Sequence, residues 1–179
     1  MRFASMRNLD ISNGEGVGVS LFVQGCDRHC FNCFNPDTWD FNGGKEWTEE
    51  TKNKFIKLID RPYINRISVL GGEPLAEQNL DEVLSLIKEI RISFPEKTIW
   101  LYTGYKFEDL INGIHYPLDS EWEDKVLRQS IVKLCDVLVD GEYIDEQRDI
   151  TLKWRGSSNQ RVIDVKQSLT QNKIVLYCD

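Results

Sequence analysis

Four short stretches of the chain are too densely apolar for strands with one wet face: residues 19–24, 66–70, 98–102 and 136–140. Runs of this kind belong in a parallel sheet covered by helices rather than in a half-solvated hairpin. Between them the hydrophobic period changes to that of a helix. Residues 48–60 set Phe55, Ile56 and Ile59 on one stripe, with Glu49 and Glu50 in the first turn where the helix dipole favours acids. Leu80, Val83, Leu84, Ile87 and Ile90 make a second stripe behind a box-like start at Asn79 and Glu82, and Pro95 marks its exit. Ser120 and Glu123 open a third helix whose buried side is Val126, Leu127, Ile131 and Leu134. The order strand, helix, strand, helix, strand, helix, strand predicts an α/β fold built on a parallel sheet. Beyond it the pattern weakens to a polar loop at 154–161 and two short strand candidates at 161–165 and 173–177.

Chemistry gathers just past the predicted strands, because parallel sheets collect ligand-binding residues at the carboxyl ends of their strands. The first strand runs into Cys26-Asp27-Arg28-His29-Cys30-Phe31-Asn32-Cys33, three cysteines at C-x3-C-x2-C spacing. Thiolates are soft ligands for iron-sulfur clusters, zinc or copper(I), and a 4Fe-4S cube closed by protein needs four of them. With three, one iron is left open to a small molecule. The second strand stops at Gly71-Gly72-Glu73-Pro74, a sharp turn with exposed backbone and one carboxylate. Thr103-Gly104-Tyr105 comes after the third strand, and Asp140-Gly141 ends the fourth. The glycines between Asn13 and Gly18 resemble a phosphate cradle, but no helix succeeds them; a close approach of backbone to a cluster or ligand is the better reading. Phe34, Trp39, Phe41 and Trp47 either shield a redox site or pack as ordinary core.

Composition narrows the class. The 179 residues, 41% of them hydrophobic, suit one domain over 1–179 with a real core. A net charge of −7 argues against nucleic acid or an anionic membrane as partner. No apolar window reaches the length of a membrane span, and no signal-like segment opens the chain, so a cytoplasmic location is expected. Five cysteines, three crowded into eight positions, make a poor disulfide framework and fit a reducing compartment. Cys135 and Cys178 read as small packed thiols.

Cys26, Cys30 and Cys33 together with the Gly71 to Pro74 turn resemble the hallmarks of the radical S-adenosylmethionine superfamily. Four further stretches carry the resemblance to one branch of it: Cys33-Phe34-Asn35, Tyr102-Thr103-Gly104-Tyr105, residues 136–141, and Arg155-Gly156-Ser157-Ser158-Asn159-Gln160-Arg161. That branch is the activating enzymes of anaerobic (class III) ribonucleotide reductase. The resemblance implies a partial, incomplete parallel β/α barrel of the radical SAM type. It also implies a glycyl-radical activase in which a reduced 4Fe-4S cluster cleaves S-adenosyl-L-methionine to methionine and a 5'-deoxyadenosyl radical. The radical takes hydrogen from a glycine of the partner, the anaerobic ribonucleotide reductase catalytic subunit. Reduced flavodoxin or a similar protein is the implied electron donor.

On this reading Cys26, Cys30 and Cys33 hold the cluster, and Gly71, Gly72 and Glu73 receive the methionine end of the cofactor. Thr103 and Asp140 reach its ribose or carboxylate end, and no other catalytic side chain is required. His29 is a solvated or supporting imidazole, since a fourth ligand would close the reactive iron; His115 is a surface residue. Three alternatives stay open. One is an activase for another glycyl-radical enzyme, of the pyruvate formate-lyase type. A second is a small radical enzyme of the same cofactor acting on a metabolite. The third is a non-enzymatic module holding iron-sulfur, or zinc between the three cysteines and His29 or Cys178.

Overall fold

A computed structural model describes residues 1–112 and 122–178. The helix start expected at Ser120 and the surface position expected of His115 lie outside the described residues.

Among the described residues the sheet has eight strands: β1 (Arg2–Asp10), β2 (Gly18–Val23), β3 (Lys45–Glu46), β4 (Arg66–Gly71), β5 (Thr98–Tyr102), β6 (Val137–Asp140), β7 (Arg161–Asp164) and β8 (Leu176–Cys178). Their order across the sheet is β3-β1-β2-β4-β5-β6-β7-β8. The four strands expected from the apolar runs, β2, β4, β5 and β6, pair in parallel at its centre. Both flanks are antiparallel, β1 and β3 on one side and β7 and β8 on the other. The sheet is therefore mixed and open, a correction to the all-parallel expectation. β1 escapes the apolar-run pattern because only Phe3 and Asp10 of its nine residues are buried.

The helices are α1 (Glu49–Ile59), α2 (Leu80–Ser93), α3 (Phe107–Asn112), α4 (Trp122–Leu134) and α5 (Val165–Gln171). Thr48 caps α1 by accepting from Thr51 N at 3.2 Å. The expected cap at Asn79 is not made: its side chain turns inward, and its amide donates to Gln24 O and Glu73 O at 3.1 and 3.0 Å. Two buried backbone carbonyls at the strand ends outcompete the helix terminus for that amide, since a buried carbonyl without a donor is costly.

Alternation along the strands sorts the two faces. Val19, Leu21, Val23, Ile67, Val69, Ile99, Leu101 and Leu138 pack against Phe55, Ile59, Leu80, Val83, Ile87, Ile131 and Val132 of the helices, with Cys135 buried among them. Each such side chain contributes about 1.5–3 kcal/mol by leaving water. Among the described residues no helix covers the opposite face: Trp100, Val137, Val139 and Val162 meet Tyr102, Trp154 and Cys178 there. Apolar runs thus marked strands buried on both sides, but only one of the covers is helical.

At the amino ends of the parallel strands this second face is sealed by a polar network. Arg66, fully buried, donates Nη2 to Asp10 O at 2.6 Å and Nη1 to Ser68 Oγ at 2.7 Å, and also reaches Asn13 O. The glycine run makes room for it: a Cβ on Gly14 would fall 2.6 Å from Arg66 Cδ, and one on Gly18 2.8 Å from Arg66 Nε. The close approach expected of these glycines is real at Gly14 and Gly18, where the group approached is the arginine at the floor.

Candidate functional site

At the carboxyl ends of β2 and β4 the backbones are laced together. Gly72 N donates to Val23 O at 2.9 Å and Glu73 N to Gly25 O at 2.8 Å. Only glycine permits this approach, since a Cβ on Gly72 would sit 2.3 Å from Gly25 O. Gly25 N and Cys26 N are tied in turn to Thr38 O and Trp39 O, at 2.8 and 3.0 Å. The cysteine loop therefore leaves the sheet beside the Gly71, Gly72 and Glu73 turn, fixed by main-chain bonds on both sides.

Within the loop Cys26, Cys30 and Cys33 are all free and half-buried. Cys33 N donates to Cys30 O at 3.1 Å, and Asn35 N donates to Cys33 Sγ at 3.4 Å. His29 and Asn32 take left-handed φ values of 45° and 53°, a region that histidine and asparagine enter more readily than most residues with a Cβ and that lets the loop turn tightly on itself. Burial pushes the Cys26 thiol up to about 11, and burial raises Cys30 as well. Alone, the Cys26 and Cys30 sulfurs stay protonated at neutral pH; a bound iron would supply the positive charge that makes them thiolates. Three soft donors in one wrapped loop fit a cluster with one iron open. Among the described residues no three His, Cys, Asp or Glu side chains converge as a single-ion site would need. A cube needs less convergence, because each thiolate binds a different iron.

Glu73 stands at the centre of this edge, 2% exposed. Its Oε1 accepts from Leu75 N at 2.9 Å and Thr103 Oγ1 at 2.8 Å; its Oε2 accepts from Gly104 N at 2.8 Å and Arg28 Nε at 3.3 Å. Burial nevertheless raises its pKa, outweighing the four donors. Four donors fill a carboxylate's capacity. Glu73 thus joins β4, β5 and the cysteine loop, and Thr103 is one of the residues that hold it.

Asp140, 1% exposed, is engaged differently. Arg161 donates to it through Nε at 2.9 Å and Nη2 at 2.5 Å, Phe107 N adds 2.8 Å at the start of α3, and Arg161 also pairs with Glu108. Asp140 and Thr103 are neighbours along the edge, where Thr103 N donates to Val139 O at 2.9 Å.

The 154–161 loop folds over the helix-free face and touches the cysteine loop. Gln160 Oε1 accepts from Gly156 N and its Nε2 donates to Gly141 O, both at 2.9 Å. A Cβ on Gly156 would fall 2.7 Å from the Phe34 ring. Under this loop lies a cavity of about 560 Å³ reached by Cys33, Asn13, Tyr102 and Arg155. Tyr102 Oη and Arg155 Nε are buried without a hydrogen-bond partner in it.

The four aromatic residues divide. Trp39 packs on His29 at 4.7 Å, Phe41 against Gly25, and Phe34 on Tyr143 at 5.0 Å, while Trp47 belongs to the core between Phe3 and Phe55. Sequence reasoning missed Arg28, Tyr105 and Glu142, which meet above Gly104. The available signal was a lone arginine between two cysteines of a buried, acid-rimmed edge.

A family model described as a 4Fe-4S single cluster domain matches residues 12–163. The chain is 38% identical over 164 residues to the anaerobic ribonucleoside-triphosphate reductase-activating protein of Salmonella typhimurium, covering 90% of this chain and 97% of the relative. The protein of the same name from Escherichia coli K12 is 37% identical over the same shares, and that of Enterobacteria phage T4 is 35% identical, over 90% of this chain and 93% of its own. A likeness at this identity over nine-tenths of the chain shows the family, and the chain belongs to the anaerobic ribonucleoside-triphosphate reductase-activating proteins.

Proposed function

We propose that this protein is a glycyl-radical activating enzyme acting on the anaerobic ribonucleoside-triphosphate reductase. The observation that carries the reading is the lacing of the cysteine loop to the glycine turn through Glu73 N and Gly25 O at 2.8 Å, which supports a cluster and its cofactor sharing one sheet edge. When bound, the reduced 4Fe-4S cluster supplies the electron that cleaves S-adenosyl-L-methionine to methionine and a carbon radical able to take hydrogen from a glycine.

Cys26, Cys30 and Cys33 hold the cluster in this reading. Because the Glu73 carboxylate is fully engaged, the backbone of Gly71 and Gly72 is the part of the turn left to meet the cofactor's amino group. Asp140 takes three donors and keeps acceptor capacity for the ribose or carboxylate end, with Thr103 beside it. Phe31 and Phe34, 72% and 58% exposed beside the cysteines, are apolar surface for the reductase to cover, which would keep water from the radical.

Several finer points belong to the same proposal. The chain works as a single unit over 1–179, and the open sheet with helices on one face is an incomplete barrel of the radical SAM type. Reduced flavodoxin or a similar protein is the donor. The setting is the cytoplasm; no helix among the described residues is long and apolar enough to cross a membrane. The test is anaerobic: reduced protein, S-adenosylmethionine and the reductase are mixed, and electron paramagnetic resonance is recorded. A glycyl-radical doublet on the reductase is expected. Release of 5'-deoxyadenosine with no doublet would overturn the reading in favour of a metabolite substrate.

A further inference from the structure

Arg28, between the first two cysteines, reaches out of its own loop to three strand ends. Its Nε donates to Glu73 Oε2 at 3.3 Å after β4, and its Nη1 donates to Glu142 Oε1 at 2.5 Å after β6. Its guanidinium lies 4.1 Å over the ring of Tyr105 after β5. The side chain is 18% exposed, and its path depends on Gly104, where a Cβ would fall 2.2 Å from Arg28 Cδ. An exposed ion pair contributes little to structure, but one that shares a buried carboxylate and an aromatic face has lost much of the screening that weakens it.

We infer that Arg28 is a positioning residue that fixes the cysteine loop, and the cluster it holds, against the Gly71, Gly72 and Glu73 turn, while its charge balances the two carboxylates there. The inference rests on reading Cys26, Cys30 and Cys33 as the cluster ligands. Its electrostatic consequence has a definite sign. Reduction adds a negative charge to a cluster, which Glu73 and Glu142 oppose and Arg28 favours. Without Arg28 the two acids act unopposed and the midpoint potential falls; without Glu142 it rises. A brace with no role at the cluster would move neither. A guanidinium merely occupying the cofactor's cation position would give tighter cofactor binding on removal.

The experiment uses Arg28→Gln, Arg28→Lys and Glu142→Gln proteins, reconstituted anaerobically beside the unaltered protein. Four quantities are read: iron content, midpoint potential without cofactor, the change in the reduced cluster's paramagnetic spectrum on titrating S-adenosylmethionine, and backbone hydrogen exchange of residues 26–33 in cluster-free protein. Full iron content is expected in all three. Arg28→Gln lowers the potential, weakens the cofactor-dependent spectral change about tenfold and speeds loop exchange about tenfold, the scale of one lost charged clamp. Arg28→Lys restores the potential but not the slow exchange, because an ammonium lacks the planar fork and the stacking face. Glu142→Gln raises the potential. Unchanged potential and exchange in Arg28→Gln, or tighter cofactor binding, overturns the inference. If Arg28→Gln does not fold, Glu142→Gln decides: an upward shift supports the inference and no shift overturns it. Full iron retention in Cys26→Ala would instead overturn the ligand reading, so the two failures are distinguishable.

Discussion

Two buried carboxylate–arginine pairs sit at opposite ends of the parallel strands, and they are built differently. At the floor, Arg66 and Asp10 are both fully withdrawn from water, 3.6 Å apart. Burial raises the Asp10 pKa, but Ser20, Asn13 and the backbone at Ser12 and Asn13 together bring it down to about 2. At the opposite edge Glu73 has four donors with Arg28 among them, against five on Asp10 with Arg7 among them, yet there burial wins and the pKa is raised. The contrast comes from where the donors originate. Asp10 is wrapped by its own hairpin and by β2, elements fixed by the sheet. Glu73 draws on its own turn, on the end of β5 and on Arg28, which belongs to the cysteine loop. The floor is held by elements of the sheet itself, with Arg66 Nε alone of its guanidinium nitrogens left without a partner among the described residues, while the edge is held together partly by the cysteine loop.

The largest break in this symmetry comes from the cysteines. Cys26→Ala, Cys30→Ala or Cys33→Ala is expected to abolish reconstituted iron while leaving the floor, and with it the far-ultraviolet circular dichroism, intact. Cys135→Ala should keep its iron, since that thiol lies in the core with its Sγ 3.3 Å from Ile131 O. A full cluster in any of the first three would sink the assignment.

Arg66→Ala tests the floor. It removes the fully buried partner of Asp10, leaving Arg7 at 3.5 Å as its remaining cation, leaves Asp10 O, Asn13 O and Ser68 Oγ without their buried donor, and opens the space that Gly14 and Gly18 vacate, so a loss of about 3–5 kcal/mol is expected in urea unfolding of the cluster-free protein. A loss below about 1 kcal/mol, on the scale of an exposed pair, would mean that water enters the floor.

Asp10 makes a smaller, pH-dependent contribution. Its folded pKa lies below the ordinary carboxylate value of 3.8, so the stabilisation is complete above about pH 4 and is lost as pH falls toward 2. The shift corresponds to about 2 kcal/mol. Asp10→Asn should therefore flatten the acid limb of the stability curve between about pH 4 and 2. If the wild-type and variant curves stay parallel there, the floor carboxylate is not held ionised by folding.

How far these two ends were legible in the sequence depends on the physics each uses. The four parallel strands were readable because burial on both faces leaves a continuous apolar run. The C-x3-C-x2-C and Gly-Gly-Glu-Pro motifs were readable because soft donors and sharp turns have few residue choices. β1 was not, since only Phe3 and Asp10 of its residues are buried and leave no pattern, and α3 and α5 are too short for a stripe to stand out. The inward turn of Asn79, the arginine that fills the glycine run and the reach of Arg28 all join residues 40 or more positions apart. Such contacts are decided by which backbone groups are left without donors after the strands pair, and no local spacing records that.

The smallest expected effect is the most discriminating. Thr103→Val keeps the shape of a side chain whose hydroxyl donates to Glu73 at 2.8 Å and accepts from Tyr105 N at 3.1 Å. Ser20→Ala removes the corresponding hydroxyl from Asp10, donated at 2.7 Å. Each loss is expected to cost about 1 kcal/mol, or about 3 °C in melting temperature. The pH dependence should differ. Losing a donor pushes the Glu73 pKa further up, and a carboxyl whose folded pKa exceeds its unfolded value weakens the fold as pH rises from the unfolded value to the folded one. Thr103→Val should therefore lose more stability at about pH 8 than at about pH 5. Ser20→Ala, which relaxes a depressed pKa, should lose the same at both. Thermal melts at the two pH values read this directly, and equal behaviour of the two variants would mean that edge and floor hold their carboxylates alike.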